Sequence, residues 1–420
     1  MARTLDSASL KAFMAAAGKP LPTAGAPWDV DTLALAAAFF SPELTLAQAH
    51  WRAALAHQAL ASATQRPLLD TALEHHSLLD GARSSPWTIG VGLEILLPDP
   101  ERLAARRGMA ESALELARID LAEALWTVRR RVSQACLEVQ ARDAEAALAL
   151  RRLGVQQARL ERMQQLASAG LLGRGDVGAA RLAAAAAAAS SRVADQQLAQ
   201  ARARLRVALA LPPGIEPAIR IDTPVLSALP ALAQESVSRL GGVALQERPD
   251  FAAADWRFRS ADAALRYEVA QQYPELSLKP GYEWDQGDHR LRIGMAFPLP
   301  LPGAREVPVR AAQADREARA AEVLALQEQI LQEVALAHQR VQAAWQQVRS
   351  ERALALDQDM QRTQLEVAIR LGDRDQLDAL DQDLLAIEQA ARTTQAEREL
   401  ARCLDQLEDV LHRPIREHAE

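Results

Sequence analysis

The longest regular pattern in the chain is a recurrence of apolar residues between about Glu101 and Ala169. Its apolar side chains are spaced by three and four residues, which places them along one seam of a coiled coil. The seam residues are Leu121, Leu125, Val128, Val132, Cys136 and Val139. The pattern predicts one helix of about 70 residues, roughly 105 Å long at 1.5 Å per residue.

Ahead of this helix the period changes from helical to two, which indicates β-strands with one apolar face. From Trp87 to Leu97 apolar residues alternate with small or polar ones, and residues 276–284 and 290–299 show the same alternation. We therefore predict two β-hairpins, one within residues 67–98 and one within residues 274–300.

The predicted strands have about ten residues, one apolar face and one charged face, which is the weak signature of a membrane-spanning β-barrel. Two half-buried hairpins on a soluble core are the alternative, but the neighbouring helices offer no second layer to cover an apolar sheet face. Four strands do not close a barrel, and open strand edges are not tolerated in lipid. A barrel therefore requires oligomerisation, whether as a dimer or as a trimer.

The chain is a duplication, because several landmark residues recur at a constant spacing of 202 residues. The matched positions are Gly92 and Gly294, Pro98 and Pro300, Pro100 and Pro302, Gly170 and Gly372, Asp176 and Asp378, and Pro212 and Pro414. Each copy is predicted to contain a helix, a β-hairpin, a long helix, a reversal and a return helix. The predicted fold class is therefore mainly α with a small β part.

This pattern divides the chain into two repeats and three connecting or terminal segments. Residues 213–248 interrupt the helical pattern with several prolines and the pair Gly241-Gly242, so they are predicted to link the copies. The predicted segments are an N-terminal arm of low regularity (1–41), the first repeat (42–212), the linker (213–248), the second repeat (249–414) and a tail (415–420).

The two reversals are the stretches with the most distinctive chemistry, at residues 170–176 and 372–378. A glycine in each can adopt the left-handed conformation that ends a helix, and the aspartates that follow suit the positive N-terminal end of the next helix. Asp378 and Asp381 lie three residues apart and so share one face of the second return helix. Asp373 and Asp375 are interpreted as helix-terminal charges on a solvated turn.

Composition supports narrow helical seams rather than a thick core, because aromatic residues make up only 4% of the chain. The net charge is −7, with acidic and basic residues mixed along the chain, so nothing indicates a nucleic-acid partner. Cys136 and Cys403 lack the paired spacing of a disulfide framework or metal knuckle and are predicted to be buried small residues.

We find no signature of an enzyme: the sequence has no nucleophile elbow, phosphate loop or zinc-helix motif, and no cofactor or metal site is predicted. The adjacent His75 and His76 are interpreted as part of an extracellular loop, because neighbours on a strand point to opposite faces and do not share a ligand. Residues Met1–Pro22 contain no apolar stretch of secretory-signal length, so no signal peptide is predicted within them.

Taken together, two copies of hairpin, long helix, glycine reversal and return helix resemble the outer membrane efflux proteins of the TolC family. The resemblance extends from about Pro42 to Pro414 and is closest at the reversals. The matching residues are Gly170, Leu171, Asp176, Val177, Ala180 and Arg181 in the first, and Gly372, Arg374, Leu377, Asp378, Leu380 and Asp381 in the second. The segment Trp28–Trp51 is similar, more weakly, to the CzcC-like heavy-metal-exporter branch.

The resemblance implies a homotrimer that forms a twelve-stranded barrel in the outer membrane, continued by a coiled-coil α-helical barrel in the periplasm. It further implies a passive exit duct that works with a periplasmic adaptor (membrane fusion) protein and an inner-membrane pump of the RND type. The adaptor is expected to contact the reversals at Gly170, Leu171 and Gly372.

The resemblance also implies roles for four charged residues at the reversals. Asp378 and Asp381 match the aspartates that ring the pore entrance, and Asp176 and Arg374 match a pair that holds the entrance closed. The sequence departs from the family where a tyrosine is expected three residues before Gly372, because Ile369 stands there.

A soluble periplasmic adaptor or scaffold built on coiled-coil hairpins is the main alternative. An adaptor needs one helical hairpin flanked by compact β-domains, whereas this chain has two hairpins and strands with one face suited to lipid. Dependence on detergent distinguishes the two functions, because a scaffold stays soluble without it.

Overall fold

The computed structural model describes residues 5, 7–19, 21, 27–63, 66–77, 85–212, 235–299, 303, 305–371 and 375–415. This part of the chain contains nine helices and four strands. In chain order they are α1 (Ala8–Ala16), α2 (Val30–Phe40), α3 (Pro42–Ala61), β1 (Leu68–His75), β2 (Trp87–Leu97), α4 (Pro100–Ser168), α5 (Arg174–Ala208), α6 (Val237–Glu247), α7 (Pro249–Ala270), β3 (Leu276–Asp285), β4 (Asp288–Ala296), α8 (Glu306–Arg370) and α9 (Gln376–Leu411).

The helices of the two repeats correspond in length, as a duplication requires. The long helices α4 and α8 have 69 and 65 residues, and the return helices α5 and α9 have 35 and 36. The shorter helices α3 and α7 have 20 and 22 residues and begin at Pro42 and Pro249. Pro100 likewise begins α4, because proline fits the first helical turn, where no intrahelical partner for its missing N–H is needed.

The four strands form one antiparallel sheet in the order β1-β2-β3-β4, so the two predicted hairpins lie side by side. The hairpins are joined by pairing between β2 and β3, in which Ile89 lies opposite Trp284 and Gly92 opposite Gly281. Within the part of the chain that the structure describes, the outer edges of β1 and β4 have no strand partner. The sheet therefore has two open edges.

One face of this sheet is apolar and uncovered along all four strands. Cross-strand register places Leu73, Ile89, Trp284 and their alternate neighbours on that face. On β4 it includes Leu291, which is 87% exposed, and Ile293, which is 81% exposed. An apolar surface of this extent marks a contact with another chain or with lipid.

The opposite face carries charged side chains that pair across the strands. Lys279 on β3 contacts Glu94 on β2 at 3.1 Å, and Arg292 on β4 contacts Glu283 at 2.7 Å. Arg290 contacts Asp285 at 2.6 Å. The predicted division into one apolar and one charged face is therefore confirmed.

The N-terminal arm differs from the prediction of low regularity, because it contains the helices α1 and α2. Each has a side-chain cap that the sequence supplies: Ser7 accepts from the Leu10 N–H, and Asp29 accepts from the Thr32 N–H at 2.6 Å. Leu10 and Met14 are completely buried, in a small cluster with Ala36. Burial of these few side chains gives the helices a tertiary partner that the short apolar pattern does not reveal.

The linker also differs from the prediction, since residues 237–247 form α6. Ser236 caps this helix by accepting from the Arg239 N–H. A Cβ added to Gly241 would lie 2.7 Å from Cδ2 of Leu331 on α8, so glycine here permits close packing of two helices. Residues 213–234, which hold most of the prolines, lie outside the described residues.

The described chain divides into two compact units, and each takes segments from both repeats. The first unit contains Met1–Thr45, Glu123–Arg248 and Gln329–Glu420, and the second contains Leu46–Ala122 and Pro249–Glu328. In the first unit the seam is built from large side chains: Val128, Val132, Cys136, Ile330, Val334, Val341, Val348, Leu400 and Leu407. In the second unit the buried apolar residues on helices are alanines: Ala105, Ala253, Ala254, Ala263 and Ala270.

The predicted coiled-coil seam on α4 is confirmed only in its middle. Val128, Val132 and Cys136 are at most 3% exposed, whereas Leu125 is 45% exposed. Among the described residues, no single helix has the length and apolarity needed to cross a membrane, and the pair α2 and α3 meets that test only jointly, with a bend of 65° between them.

Candidate functional site

The first reversal is shaped by the C-terminal end of α4. Gly170 has a φ of +77°, the left-handed conformation predicted for it. The N–H of Leu171 donates to the carbonyl of Leu166 at 2.9 Å, and the N–H of Gly170 donates to Ala167 at 3.1 Å. These two hydrogen bonds form a Schellman motif, which satisfies the last carbonyls of the helix and turns the chain outward.

Asp176 and Asp378 occupy the same position in the two return helices. Asp176 accepts from the Gly173 N–H at 3.3 Å, and Asp378 accepts from the Asp375 N–H at 3.3 Å. Each carboxylate therefore satisfies a backbone donor at the start of a helix, where negative charge is also favoured by the helix dipole. This capping role is shared across the duplication.

The second reversal is described from Asp375 onward. Gly372, Asp373 and Arg374 lie outside the described residues, so the predicted contact between Asp176 and Arg374 lies outside them as well. Asp375 is the N-cap of α9, and its side chain accepts from the Gln376 N–H at 2.6 Å.

Two arginines on α4 pair with the acidic start of α9. Arg159 Nε lies 2.7 Å from Asp381 Oδ1, and Arg162 Nη2 lies 3.0 Å from Asp375 Oδ1. We call these contacts the tip ion pairs. They join the long helix of the first repeat to the return helix of the second. All four side chains are partly solvated, with exposed fractions of 29% and 52% in the first pair and 31% and 45% in the second.

The tip ion pairs influence the charge state of Asp375. The hydrogen bond from Arg162 and then the one from the Gln376 N–H hold the pKa of this carboxyl below its usual value of 3.8. Both bonds favour the ionised carboxylate, so Asp375 stays charged under mildly acidic conditions.

Farther from the reversals, α4 and α9 are joined by a second polar group, which we call the Trp126 cluster. Its members are Asp31, Trp126, Arg129, Arg130, Glu408, Asp409 and His412. Arg129 donates to Asp31 at 2.9 Å and to Glu408 at 3.2 Å, and its guanidinium lies over the ring of Trp126. The imidazole of His412 also stacks on the Trp126 ring, with ring centroids 4.3 Å apart.

The Arg129–Glu408 pair at the centre of the Trp126 cluster is much less solvated than the tip ion pairs, whereas Arg130 and Asp409 are 42% and 34% exposed. The side chain of Arg129 is 14% exposed and that of Glu408 is 7% exposed. Burial by itself lowers the pKa of Arg129, but the charges of Asp31 and Glu408 outweigh it and raise the pKa above its usual value. Glu408 also accepts from the Ile415 N–H at 3.2 Å, so its charge is well satisfied.

Glu138 on α4 lies between the tip ion pairs and the Trp126 cluster and accepts hydrogen bonds from two arginines. It accepts from Arg142 at 2.9 Å on its own helix and from Arg398 at 2.6 Å on α9. Burial by itself raises the pKa of Glu138, but the hydrogen bond from Arg142 and the charges of both arginines outweigh it, so the pKa lies below its usual value of 4.5.

A groove of about 770 Å³ lies along α4 and α9 between Glu138 and the tip ion pairs. Residues from α5 and α8 also line it, and its lining mixes arginines and glutamates, including Arg152, Arg392, Glu351 and Glu388. The groove therefore lies between the tip ion pairs and Glu138, although Arg398 on α9 contacts Glu145 on α4 within its lining at 2.8 Å.

The cysteine prediction is confirmed, because Cys136 and Cys403 are free and buried. Burial, with the nearby charge of Glu399, raises the pKa of the Cys403 thiol, which keeps it in the unreactive protonated form. The loop prediction is wrong for His75, which is the last residue of β1 and packs against Trp87 with centroids 4.6 Å apart. His76 follows the strand and contacts the Thr88 hydroxyl.

The structure thus brings together some of the residues singled out from the sequence and adds others. Asp378 and Asp381 lie on the first turns of α9, as predicted. Arg159 and Arg162 escaped sequence reasoning, because nothing local shows which helix α4 contacts. Their signal is a pair of arginines three residues apart, one turn of helix, just before the reversal.

Comparison with known proteins identifies the fold as that of outer-membrane channels. The Vibrio cholerae outer membrane protein VceC is similar to this chain with a TM-score of 0.71 and 20% identity, over 91% of this chain and 95% of that one. The open-state Neisseria gonorrhoeae outer membrane channel MtrE has a TM-score of 0.70 and 16% identity, over 93% and 90%. CusC has a TM-score of 0.69 and 17% identity, over 91% of both chains.

Part of the chain also matches a known protein family in sequence. Residues 36–211, which are almost the whole first repeat, match the family described as outer membrane efflux protein. No protein of curated function matches the chain in sequence.

Proposed function

We propose that the whole chain is an outer membrane efflux protein and forms the exit duct of a tripartite efflux or secretion system. In this function solutes pass from the periplasm to the outside, and the chain works with a periplasmic adaptor and an inner-membrane pump of the RND type. The observation that carries the proposal is the four-stranded sheet, with its uncovered apolar face, charged opposite face and open edges.

The sheet supports assembly of three chains. The exposed apolar face of β4 suits contact with lipid. The unpaired backbone N–H and C=O groups at the outer edges of β1 and β4 are not tolerated there. Pairing β4 of one chain with β1 of the next satisfies them and turns the charged face toward a lumen. Three chains then give twelve strands, the number expected from the family resemblance.

The duplication supports extension of the family match to the second repeat. The matched family covers residues 36–211, and the landmark residues recur 202 positions later with helices of nearly equal length. The similarity to outer-membrane channels covers at least nine-tenths of the chain, which includes both repeats.

Mass measurement in detergent tests the assembly. Light scattering corrected for bound detergent should give three chains, and the protein should precipitate when detergent is withdrawn. A monomer that keeps its β-signal in plain buffer contradicts the duct and favours the alternative, a soluble periplasmic coiled-coil adaptor or scaffold.

At the periplasmic end we propose that the reversals meet the adaptor and form the entrance. Leu171 is 73% exposed beside Gly170, which suits docking of an apolar partner residue, and Gly372 is the equivalent glycine of the second reversal. Asp378 and Asp381 line the pore entrance, and Asp176 with Arg374 holds it closed. An arginine offers a planar fork that matches a carboxylate.

Single-channel recording tests the closing pair. Arg374→Ser should raise conductance, and exchanging the charges with Asp176→Arg and Arg374→Asp should return much of the closed state. One exposed bridge contributes about 0 to 1 kcal/mol, so three copies shift the closed-to-open ratio by at most roughly a hundredfold. Wild-type conductance in Arg374→Ser contradicts the pair.

We also propose, from the similarity of Trp28–Trp51, that the chain belongs to the heavy-metal branch; this segment contains α2 and the first half of α3. A strain that lacks this protein should become sensitive to divalent metals such as zinc or cobalt. Sensitivity to organic drugs alone contradicts the prediction.

A further inference from the structure

The acidic start of α9 is already paired within the chain. Among the described residues, the first two turns of α9 and its N-cap contain Asp375, Asp378, Asp381 and Asp383. Arg162 and Arg159 on α4 bind the first and third of these, and Arg362 on α8 binds Asp383 at 3.2 Å. Asp378 accepts from a backbone N–H. The carboxylates are therefore not a bare acidic surface.

Exposure decides what the tip ion pairs do. Side chains that are 29–52% solvated lose little of their hydration, so such a pair contributes little to stability. Its larger consequence is electrostatic. The field of an opposite pair at 2.7 Å decreases with distance much faster than that of a lone carboxylate, and solvent ions then experience little net charge.

The geometry of Asp381 makes this cancellation specific. Its partner, Arg159, lies on α4 and therefore in the other repeat. The net charge at the start of α9 thus depends on how close α4 lies to α9. Asp381 keeps half of its side chain in solvent and can still interact with a passing cation when the arginine is absent.

We propose that Arg159 and Arg162 are specificity-determining residues, which neutralise Asp381 and Asp375 and so reduce the selectivity of the channel mouth for cations. This inference rests on the proposed function as an outer-membrane duct. Three chains place three such pairs around one mouth. Removing one arginine per chain exposes three negative charges and makes the mouth attract small cations.

Planar-bilayer recording of the purified full-length protein tests the proposal. The reversal potential in a KCl gradient and the block by hexaamminecobalt(III) are measured for the wild type, Arg159→Gln, Asp381→Asn and the double variant. Arg159→Gln should shift the reversal potential toward cations and lower the half-blocking concentration on the order of tenfold. Asp381→Asn should shift both quantities in the opposite direction, and the double variant should return close to wild type.

The control is Arg118→Gln, which removes an equal charge from the same helix 44 residues before Arg162. Arg118 pairs with Glu115 within its own helix, and its variant should behave as wild type. Shifts of the same sign in Arg159→Gln and Asp381→Asn, or an Arg159→Gln channel indistinguishable from wild type, overturn the proposal. Wild-type protein that conducts no current overturns the duct itself, so the two failures are distinguishable.

Discussion

The two ends of the contact between α4 and α9 use the same residue types for different purposes. In the Trp126 cluster Arg129 and Glu408 are nearly buried and each has several partners. At the tip ion pairs Arg159 and Asp381 are partly solvated and bonded mainly to each other. An arginine next to a carboxylate therefore does not by itself indicate whether a contact holds the fold or sets a surface charge.

Desolvation explains the difference. A buried carboxylate that loses its partner has no water to replace it, whereas an exposed one is solvated at once. The Arg129–Glu408 contact is thus costly to break, and the contacts at the tips cost little to break. In the proposed duct, an entrance that changes its charge or width requires the second kind, and the groove along α4 and α9 lies between the two.

The largest expected effect is that of Arg129→Met. Loss of this arginine removes the cation that Glu408 contacts in its buried site, and breaking a buried pair costs about 3 to 5 kcal/mol. The guanidinium chloride midpoint of the helical circular dichroism signal in detergent should fall accordingly. The matched control is Arg131→Met, whose exposed pair with Glu43 contributes about 0 to 1 kcal/mol. Equal shifts of the unfolding midpoint in both variants would contradict the proposed difference between buried and exposed ion pairs.

The next effect is expected for Glu138→Gln, which weakens charge-assisted hydrogen bonds worth about 2 kcal/mol in total. Because the folded-state pKa of Glu138 lies below 4.5, its stabilisation is present above pH 4.5 and is lost as the pH falls through the folded-state pKa. The stability difference between wild type and variant should therefore be constant from about pH 7 to 5 and shrink at lower pH. A difference that stays constant down to about pH 3 contradicts this assignment.

A smaller effect is expected for Arg159→Gln on stability. Its exposed pair contributes about 0 to 1 kcal/mol, so the unfolding midpoint should barely move while the reversal potential shifts. Measuring both quantities on one preparation sharpens the comparison between the two ends. A midpoint loss as large as that of Arg129→Met shows that the tips hold the fold as well.

The most local effect is expected for Asp176→Ala, which removes the carboxylate that accepts from the Gly173 N–H. A charge at a helix N-terminus contributes about 0.3 to 1 kcal/mol, and the change is confined to the first turn of α5. Hydrogen–deuterium exchange of the peptide that covers the first reversal should become faster. Asp195→Ala, in the middle of α5, serves as control and should leave that peptide unchanged.

Local features of the fold were predictable because they depend on residues close in sequence. The alternation in β2 predicts its limits, Trp87 and Leu97, as the structure has them. Gly170 and the aspartates six residues after each glycine predict the reversals, since a left-handed glycine and an N-terminal carboxylate act within one turn. The short helices α1, α2 and α6 were missed because a weak apolar pattern becomes helical only when tertiary contacts bury it.

Which helices meet was decided by the tertiary structure. The sequence shows arginines on α4 and aspartates on α9, but a helix pattern carries no information about its neighbour. In the folded chain Arg129 is largely buried, whereas Arg159 lies at a solvated reversal. Both arginines are on α4 and both pair with carboxylates. Solvent access, which depends on all the surrounding helices, then determines whether each pair stabilises the fold or tunes the charge at its surface.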